Sequence, residues 1–317
     1  MRELWDVIVI GSGPSGLTAA IYTTRGAAST LILGGEKWGG QLMLTTEVDN
    51  FPGFPEGIMG PALMANMRKQ AERFGAGFVE KNAESIKRIK SLFEITAGGE
   101  KYLTKSVIIA TGAATRWLDI PGIEKLIGRG VSSCAPCDAP FFKRKRVAVV
   151  GGGDAAMEEA VVLTKYASEI FIIHRKNEFK AAAVMQKKVL DNPKIEILWN
   201  SEVTKVIGEK KLEKIIVFNN QTNKEEELIL DGLFIAIGHK PESDVFKGIV
   251  TTDEKGYIRR TQELKNLRTP NEFQMATNVP GIFVSGDVHD QTYKQAVTAA
   301  GYGCQAAMEV LKYLQEK

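Results

Sequence analysis

The stretch Asp6-Val-Ile-Val-Ile10-Gly11-Ser12-Gly13-Pro-Ser-Gly16 decides the fold. Its first five residues are a short run rich in Val and Ile that reads as a buried strand. The run breaks directly into a glycine-rich loop, and Leu17 to Thr24 behind it reads as a helix start. In such a turn Gly11 permits the tight bend, Gly13 lets the backbone approach a pyrophosphate, and Gly16 lets helix and strand close up. The unpaired N–H groups at the helix N-terminus and the helix dipole then favour the anion. Glu36 follows about twenty residues past the loop, where an acid accepts a ribose hydroxyl. A purely structural glycine turn is the competing reading, and it leaves the flanking strand, helix and acid unexplained.

The same arrangement returns from Arg146. Val147 to Val150 reads as a strand, Gly151-Gly-Gly153-Asp154-Ala155-Ala156 as the loop, and Met157 to Lys165 as the helix. Ala in the last loop position is tolerated by the pattern. The following strand, Ile170 to Ile173, ends on His174-Arg175-Lys176 instead of an acid, with Lys180 shortly after. A carboxylate there repels a 2′-phosphate and cations bind it, so this loop favours NADP over NAD; a solvated basic face is the alternative. Two such units predict an α/β protein with parallel sheets covered by helices and two nucleotide sites. Ser106 to Ala110 before Thr111-Gly112, Leu233 to Ile237 before Gly238, and Gly281 to Val284 before Gly286-Asp287 look like strand ends facing a cofactor. Arg259 to Asn278, polar and carrying Pro270, reads as a surface excursion.

The third feature is Cys134-Ala135-Pro136-Cys137-Asp138. A helix starting within the motif would lower a thiol pKa and increase the thiolate that exchanges disulfides. Asp138, given partial burial, could protonate a departing thiolate. Half of a zinc site is the competing reading, but no second Cys-x-x-Cys exists, and His174, His239 and His289 do not have finger-like spacing to it, so no metal is expected. Cys304 lies in an apolar, small-residue helical pattern and reads as a packed side chain.

Composition bounds these readings. The chain has 317 residues, 44% hydrophobic and 25% charged, enough apolar material for two domains. A net charge of +3 on 41 basic and 38 acidic residues is too balanced for a nucleic-acid binder. No stretch approaches the roughly 18 apolar residues of a spanning helix. The N-terminal run enters the glycine loop rather than a secretory core, so the cytoplasm is the expected location. Three cysteines are too few for a stapled secreted scaffold.

With these residues in hand, nearly the whole chain resembles the low-molecular-weight thioredoxin reductases of the pyridine nucleotide-disulfide oxidoreductase class. The resemblance rests on GSGPSG, GGQL at Gly39 to Leu42, TTEVDNFPG at Thr45 to Gly53, ATG at Ala110 to Gly112, SCAPCD, GGGDAAMEEA, HRKNEFKA, AIGHKP and GDVHDQTYKQAVTAAGYGC. It implies two Rossmann-like domains: a discontinuous FAD domain at residues 1–116 and 244–317, and an inserted NADPH domain at residues 117–243 that carries the cysteine pair. It also implies a thioredoxin-disulfide reductase that moves electrons from NADPH through FAD and the Cys134/Cys137 disulfide to thioredoxin or a thioredoxin-like protein, as a homodimer whose inserted domain rotates.

By motif, FAD would be held by Gly11, Ser12, Gly13, Gly16, Gly34, Gly35, Glu36, Gly40, Gln41, Asn50, Thr111, Gly112, Gly286, Asp287, Val288, Lys294, Gln295 and Ala296. NADPH would be held by Gly151, Gly153, Asp154, Ala155, Ala156, His174, Arg175, Lys176, Lys180, Ile237 and Gly238. Cys137 would face the flavin, Cys134 would attack the partner, and Asp138 completes the catalytic set. The family commonly has Arg at Lys176, Lys180 and Lys294; Lys keeps the charge but loses the bidentate fork. Pro136 removes a backbone donor from the disulfide motif. A related flavoenzyme using ferredoxin, another electron donor or another dithiol substrate is the nearest alternative function. A nucleotide-sensing module without turnover is a more distant one, and it has no need of the Cys-x-x-Cys and its acid.

Overall fold

A computed structural model describes residues 4–264 and 273–317. The chain forms two compact units. One holds the chain up to Ala114 and again from Lys240 onward, and the other spans Thr115–His239. Among the described residues no helix is long and apolar enough to cross a membrane.

In the first unit the strands run in the order Gly77–Val79, Thr30–Leu33, Leu4–Ile10, Glu100–Ile109, Leu92–Ala97 and Ala83–Ile89, with Ile282–Val284 added beside Glu100–Ile109. The pairings around Leu4–Ile10 are parallel, and the Ala83–Ala97 hairpin joins antiparallel. Successive strand side chains point to opposite faces, so one strand feeds two cores. Val7 and Val9 pack with Leu17, Met64 and Val310 from three helices, whereas Ile8 and Ile10 pack with Phe93, Ile95, Phe246 and Ile258. Both faces are covered, and that is why the strand is apolar at every position from Val7 to Ile10.

The second unit repeats this logic. A five-stranded parallel sheet runs Val131–Ser132, Gly232–Ile235, Arg146–Val150, Glu169–His174, Ile195–Trp199. Val147, Val149, Ile170 and Ile172 pack under the helix Asp154–Leu163 together with Ala135 and Ala139. Ala148, Val150, Phe171 and Ile173 face the antiparallel sheet Ser201–Ile207, Lys214–Asn219, Lys224–Ile229 through Val203, Val206 and Ile215.

The C-terminal return of the first unit is knitted to its N-terminus at close range. The helix Ala296–Gln315 crosses Pro14–Arg25 so tightly that a side chain at Gly303 would overlap the Ser15 carbonyl, and the hydroxyls of Ser15 and Ser285 share a hydrogen bond of 2.5 Å. The described part of Arg259–Asn278 departs from the surface-excursion reading. Met275 is fully buried in the first core, and Thr261 donates to the carbonyls of Ala276 (3.0 Å) and Thr277 (2.6 Å). The Glu309 carboxylate accepts the Gln274 and Met275 amides at 2.7 Å each. These apolar residues fill the core from irregular backbone satisfied by distant side chains, so they carry no period to read. Pro270 lies outside the described residues.

Candidate functional site: two glycine loops and a disulfide

Both predicted loops sit where a parallel strand hands over to a helix. Gly11 has φ 113°, and a side chain there would overlap the Ala110 carbonyl. A side chain at Gly16 would overlap the Gly11 carbonyl, yet one at Gly13 would meet nothing within 4 Å. The helix Pro14–Arg25 has no side-chain cap at Gly13, so its leading N–H groups point into that space. The donors and the room suit a pyrophosphate. Ser12 ties neighbouring turns together: its hydroxyl donates to Gly34 O (2.6 Å) and accepts from Gly39 N (2.9 Å). Gly40 lies beside Gly13, with its open side 3.5 Å from the Gly13 Cα. Glu36 is exposed, and its backbone N–H donates to Asn82 Oδ1 (3.3 Å).

The remaining first-unit residues include two that lie against the same loop: a side chain on Gly11 would sit 3.0 Å from Thr111 N, and one on Gly286 would sit 2.8 Å from Ser15 Cβ. Asn50 donates to Gln295 Oε1 (3.3 Å), and the Thr111 hydroxyl donates to Glu242 O (2.5 Å). Gly112, at φ 74°, faces open space. Burial, and then the nearby Asp290 charge, raises the Asp287 carboxyl to about 6, with Lys294 opposing. Lys294 adopts φ 48°, its ammonium lies 5.4 Å over the Tyr257 ring, and burial lowers its pKa. Sequence reading missed the residue that shapes this turn. Asp290 is buried and accepts the backbone N–H groups of Thr292 (2.8 Å), Tyr293 (3.0 Å) and Lys294 (3.2 Å). An Asp followed by polar residues just before a helix is the signal that could have found it.

In the second unit Gly153 faces open space and its helix Asp154–Leu163 also lacks a side-chain cap. A side chain on Gly151 would lie 2.5 Å from Ala236 O and 2.7 Å from the Ala156 methyl. Asp154 Oδ1 accepts Ala182 N (2.8 Å), and Lys180 N donates to Gly152 O (2.8 Å), folding the basic segment back over the loop. Arg175, Lys176 and Lys180 are exposed at the strand end, as is Ile237 beside the open Gly238. His174 does not join the cations. Its buried ring lies against Gly152, pairs Nε2 with Glu178 O (2.9 Å), and stacks near Phe179 and Trp199. Burial lowers its pKa, the bond to Glu178 opposes this, and the adjacent Arg175, Lys176 and Lys180 charges add to the lowering, so the ring packs inward as a wedge.

Cys134 and Cys137 are joined in a disulfide with Cα atoms 5.3 Å apart, at the start of the short helix Ala135–Asp138. Ser132 is a second residue missed from sequence. Its hydroxyl donates to Asp138 Oδ2 (2.5 Å) and accepts Cys134 N (3.1 Å). Burial raises the Asp138 pKa above the ordinary carboxylate value, against the lowering effect of that Ser132 bond. A reducible bond, thiols at a helix start and an acid with a raised pKa together suit disulfide exchange. Cys304 is half-buried on the last helix, 3.9 Å from Met308 Sδ.

Comparison with known proteins agrees with this arrangement. Residues 5–303 match the family described as pyridine nucleotide-disulphide oxidoreductase. A thioredoxin reductase of Streptomyces clavuligerus is 45% identical over 316 residues, 99% of this chain and 95% of that protein. The crystal structure of thioredoxin reductase from Streptococcus pyogenes superposes with a TM-score of 0.92 at 34% identity, covering 100% of both chains. Thioredoxin reductase from Giardia duodenalis gives 0.90 at 38% identity, over 99% of this chain and 100% of that one. With two glycine loops, a paired disulfide and relatives of this identity along its length, the chain belongs to the pyridine nucleotide-disulphide oxidoreductase family.

Proposed function

We propose that the protein is a thioredoxin-disulfide reductase: it takes electrons from NADPH and delivers them, through FAD and the Cys134–Cys137 disulfide, to oxidised thioredoxin or a thioredoxin-like protein. The observation that carries this reading is the closed disulfide beside Asp138, held in the same unit as the second glycine loop. FAD, when bound, supplies the two-electron carrier between a nicotinamide and a disulfide. The loop Gly11–Gly16 holds its pyrophosphate, with Gly34, Gly35, Glu36, Gly40, Gln41, Asn50, Thr111, Gly112, the Gly286–Val288 turn and Lys294–Ala296 completing the site. The loop Gly151–Ala156, with Asp154, Ala155, Ile237 and Gly238, holds NADPH, and Arg175, Lys176 and Lys180 bind its 2′-phosphate. Cys134 attacks the partner's disulfide, Cys137 takes electrons from the flavin side, and Asp138 holds the proton that a departing thiolate needs. The functional domains are residues 1–116 with 244–317 for FAD and residues 117–243 for NADPH. The enzyme works in the cytoplasm as a homodimer.

The test is a visible spectrum of the purified protein, titrated without oxygen first with NADPH and then with oxidised thioredoxin. The flavin bands should bleach on the first addition and return on the second. Bands that persist in excess NADPH, or that stay bleached with thioredoxin, would overturn the reading.

A further inference from the structure

The first N–H groups of a helix have no acceptor within it, and buried ones must find an acceptor elsewhere. At the disulfide helix these donors are taken by two side chains. Cys134 N goes to Ser132, and Ala135 N goes to Glu159 Oε2 at 2.5 Å. Glu159 comes from the middle of the helix Asp154–Leu163, whose N-terminus carries the second glycine loop. Ala135 and Ala139 are fully buried against Ala156 and Ala160 of that helix, so its carboxylate is held where water is scarce. The charged groups acting on it are Asp138 on the disulfide helix and its helical neighbour Glu158, both acidic.

We propose that Glu159 is a positioning residue for the redox disulfide, holding the Cys134–Cys137 turn through the Ala135 N–H and, when ionised, opposing the build-up of thiolate in the opened pair. A protonated carboxyl still accepts through its carbonyl oxygen, so the anchoring bond survives a change of charge. Burial raises its pKa to about 7; the Ala135 bond opposes the rise, and the Asp138 and Glu158 charges add to it. The charge beside the disulfide therefore changes within the neutral range. Below about 7 the pair opens next to a neutral group, and above it any thiolate forms next to an added anion.

The proposal rests on the Cys134–Cys137 pair being the redox centre, and its deciding measurement does not need turnover. The flavin-loaded protein is equilibrated with dithiothreitol, whose two thiols supply both electrons and both protons as they close into a ring. The opened fraction is read by thiol labelling across pH. Glu159→Gln keeps the acceptor and removes the charge. At about pH 8.5 its disulfide should be about threefold to tenfold easier to open than the parent's, the equivalent of half to one pK unit, and at about pH 6 the two should agree within about twofold. Glu159→Leu removes acceptor and charge together, and its thioredoxin turnover should fall about tenfold at both pH values. Identical pH profiles for the parent and Glu159→Gln would overturn the proposal, whether or not Glu159→Leu folds. A parent that equilibrates with dithiothreitol but does not turn over with NADPH and thioredoxin would instead sink the functional reading.

Discussion

The loops Gly11–Gly16 and Gly151–Ala156 make the same turn, and they differ where it matters for chemistry. In both, the first glycine is pressed against the carbonyl of a residue just past the neighbouring strand, Ala110 in one and Ala236 in the other. In both, the middle glycine faces open space. The last position diverges: no side chain fits at Gly16, whereas the second loop accommodates the Ala156 methyl. The strand ends diverge further, with Gly34-Gly35-Glu36 in the first and His174-Arg175-Lys176 in the second. The turn is dictated by how closely backbone approaches backbone. In the proposed function the choice of nucleotide falls to side chains one strand away.

The largest expected effect breaks the equivalence of the last positions. Gly16→Ala puts a methyl into a backbone carbonyl that cannot move aside, so flavin-loaded protein should be lost, with destabilisation of about 3 kcal/mol in chemical denaturation. Ala156→Gly should lower stability by less than about 1 kcal/mol. Equal effects would show that the two helices approach their strands alike.

The second contrast lies within the first unit, between the acid Asp287 and the base His289. Asp287 titrates at about 6 in the folded protein against 3.8 ordinarily. The folded state therefore binds this proton more tightly, and its stabilisation is full below about 4 and lost as pH rises through about 6. His289, also in this unit, has no partner among the described residues for its buried Nε2, and burial lowers it from 6.5 to about 4. Its contribution has the opposite sign: it is full above 6.5 and lost as pH falls towards about 4. Thermal unfolding of the apoprotein across this range should show the two slopes opposing. Asp287→Asn should gain up to roughly 3 kcal/mol above pH 6 and nothing below pH 4. His289→Leu should flatten the acid side instead. Unchanged profiles in both variants would refute the assignment.

The third contrast tests the strand ends. Arg175→Ala and Lys180→Ala should each lower kcat/KM for NADPH about tenfold and leave NADH nearly unchanged, because in the proposed function each would remove a charge-assisted contact of about 1.5 kcal/mol to the 2′-phosphate. Glu36→Ala should leave the NADPH preference alone. A matching loss with NADH would point to general damage. The smallest effect is expected at Cys304→Ser, which touches neither loop: stability should change by less than about 0.5 kcal/mol, with thioredoxin turnover at the parent level.

The sequence by itself determined the two strand, loop and helix units, their order, the disulfide and its neighbouring acid. Each of these is written in residues within a few positions of one another, where chain geometry leaves little choice. The apolar run Val7–Ile10 announces a strand covered on both faces because every second residue must enter a different core. Tertiary structure alone decided which polar groups became partners. Ser132 is two residues from Cys134 but acquires its role by facing Asp138, and Glu159 reaches Ala135 across 24 positions. His174 looked like part of a cationic cluster, yet its ring turned inward, since the space beneath Gly152 and beside Trp199 was better filled than left empty. Met275 entered the core from irregular backbone that Thr261 and Glu309 satisfy from a distance. Hydrogen-bond satisfaction and close packing act between residues remote in the chain, and a local pattern carries no record of them.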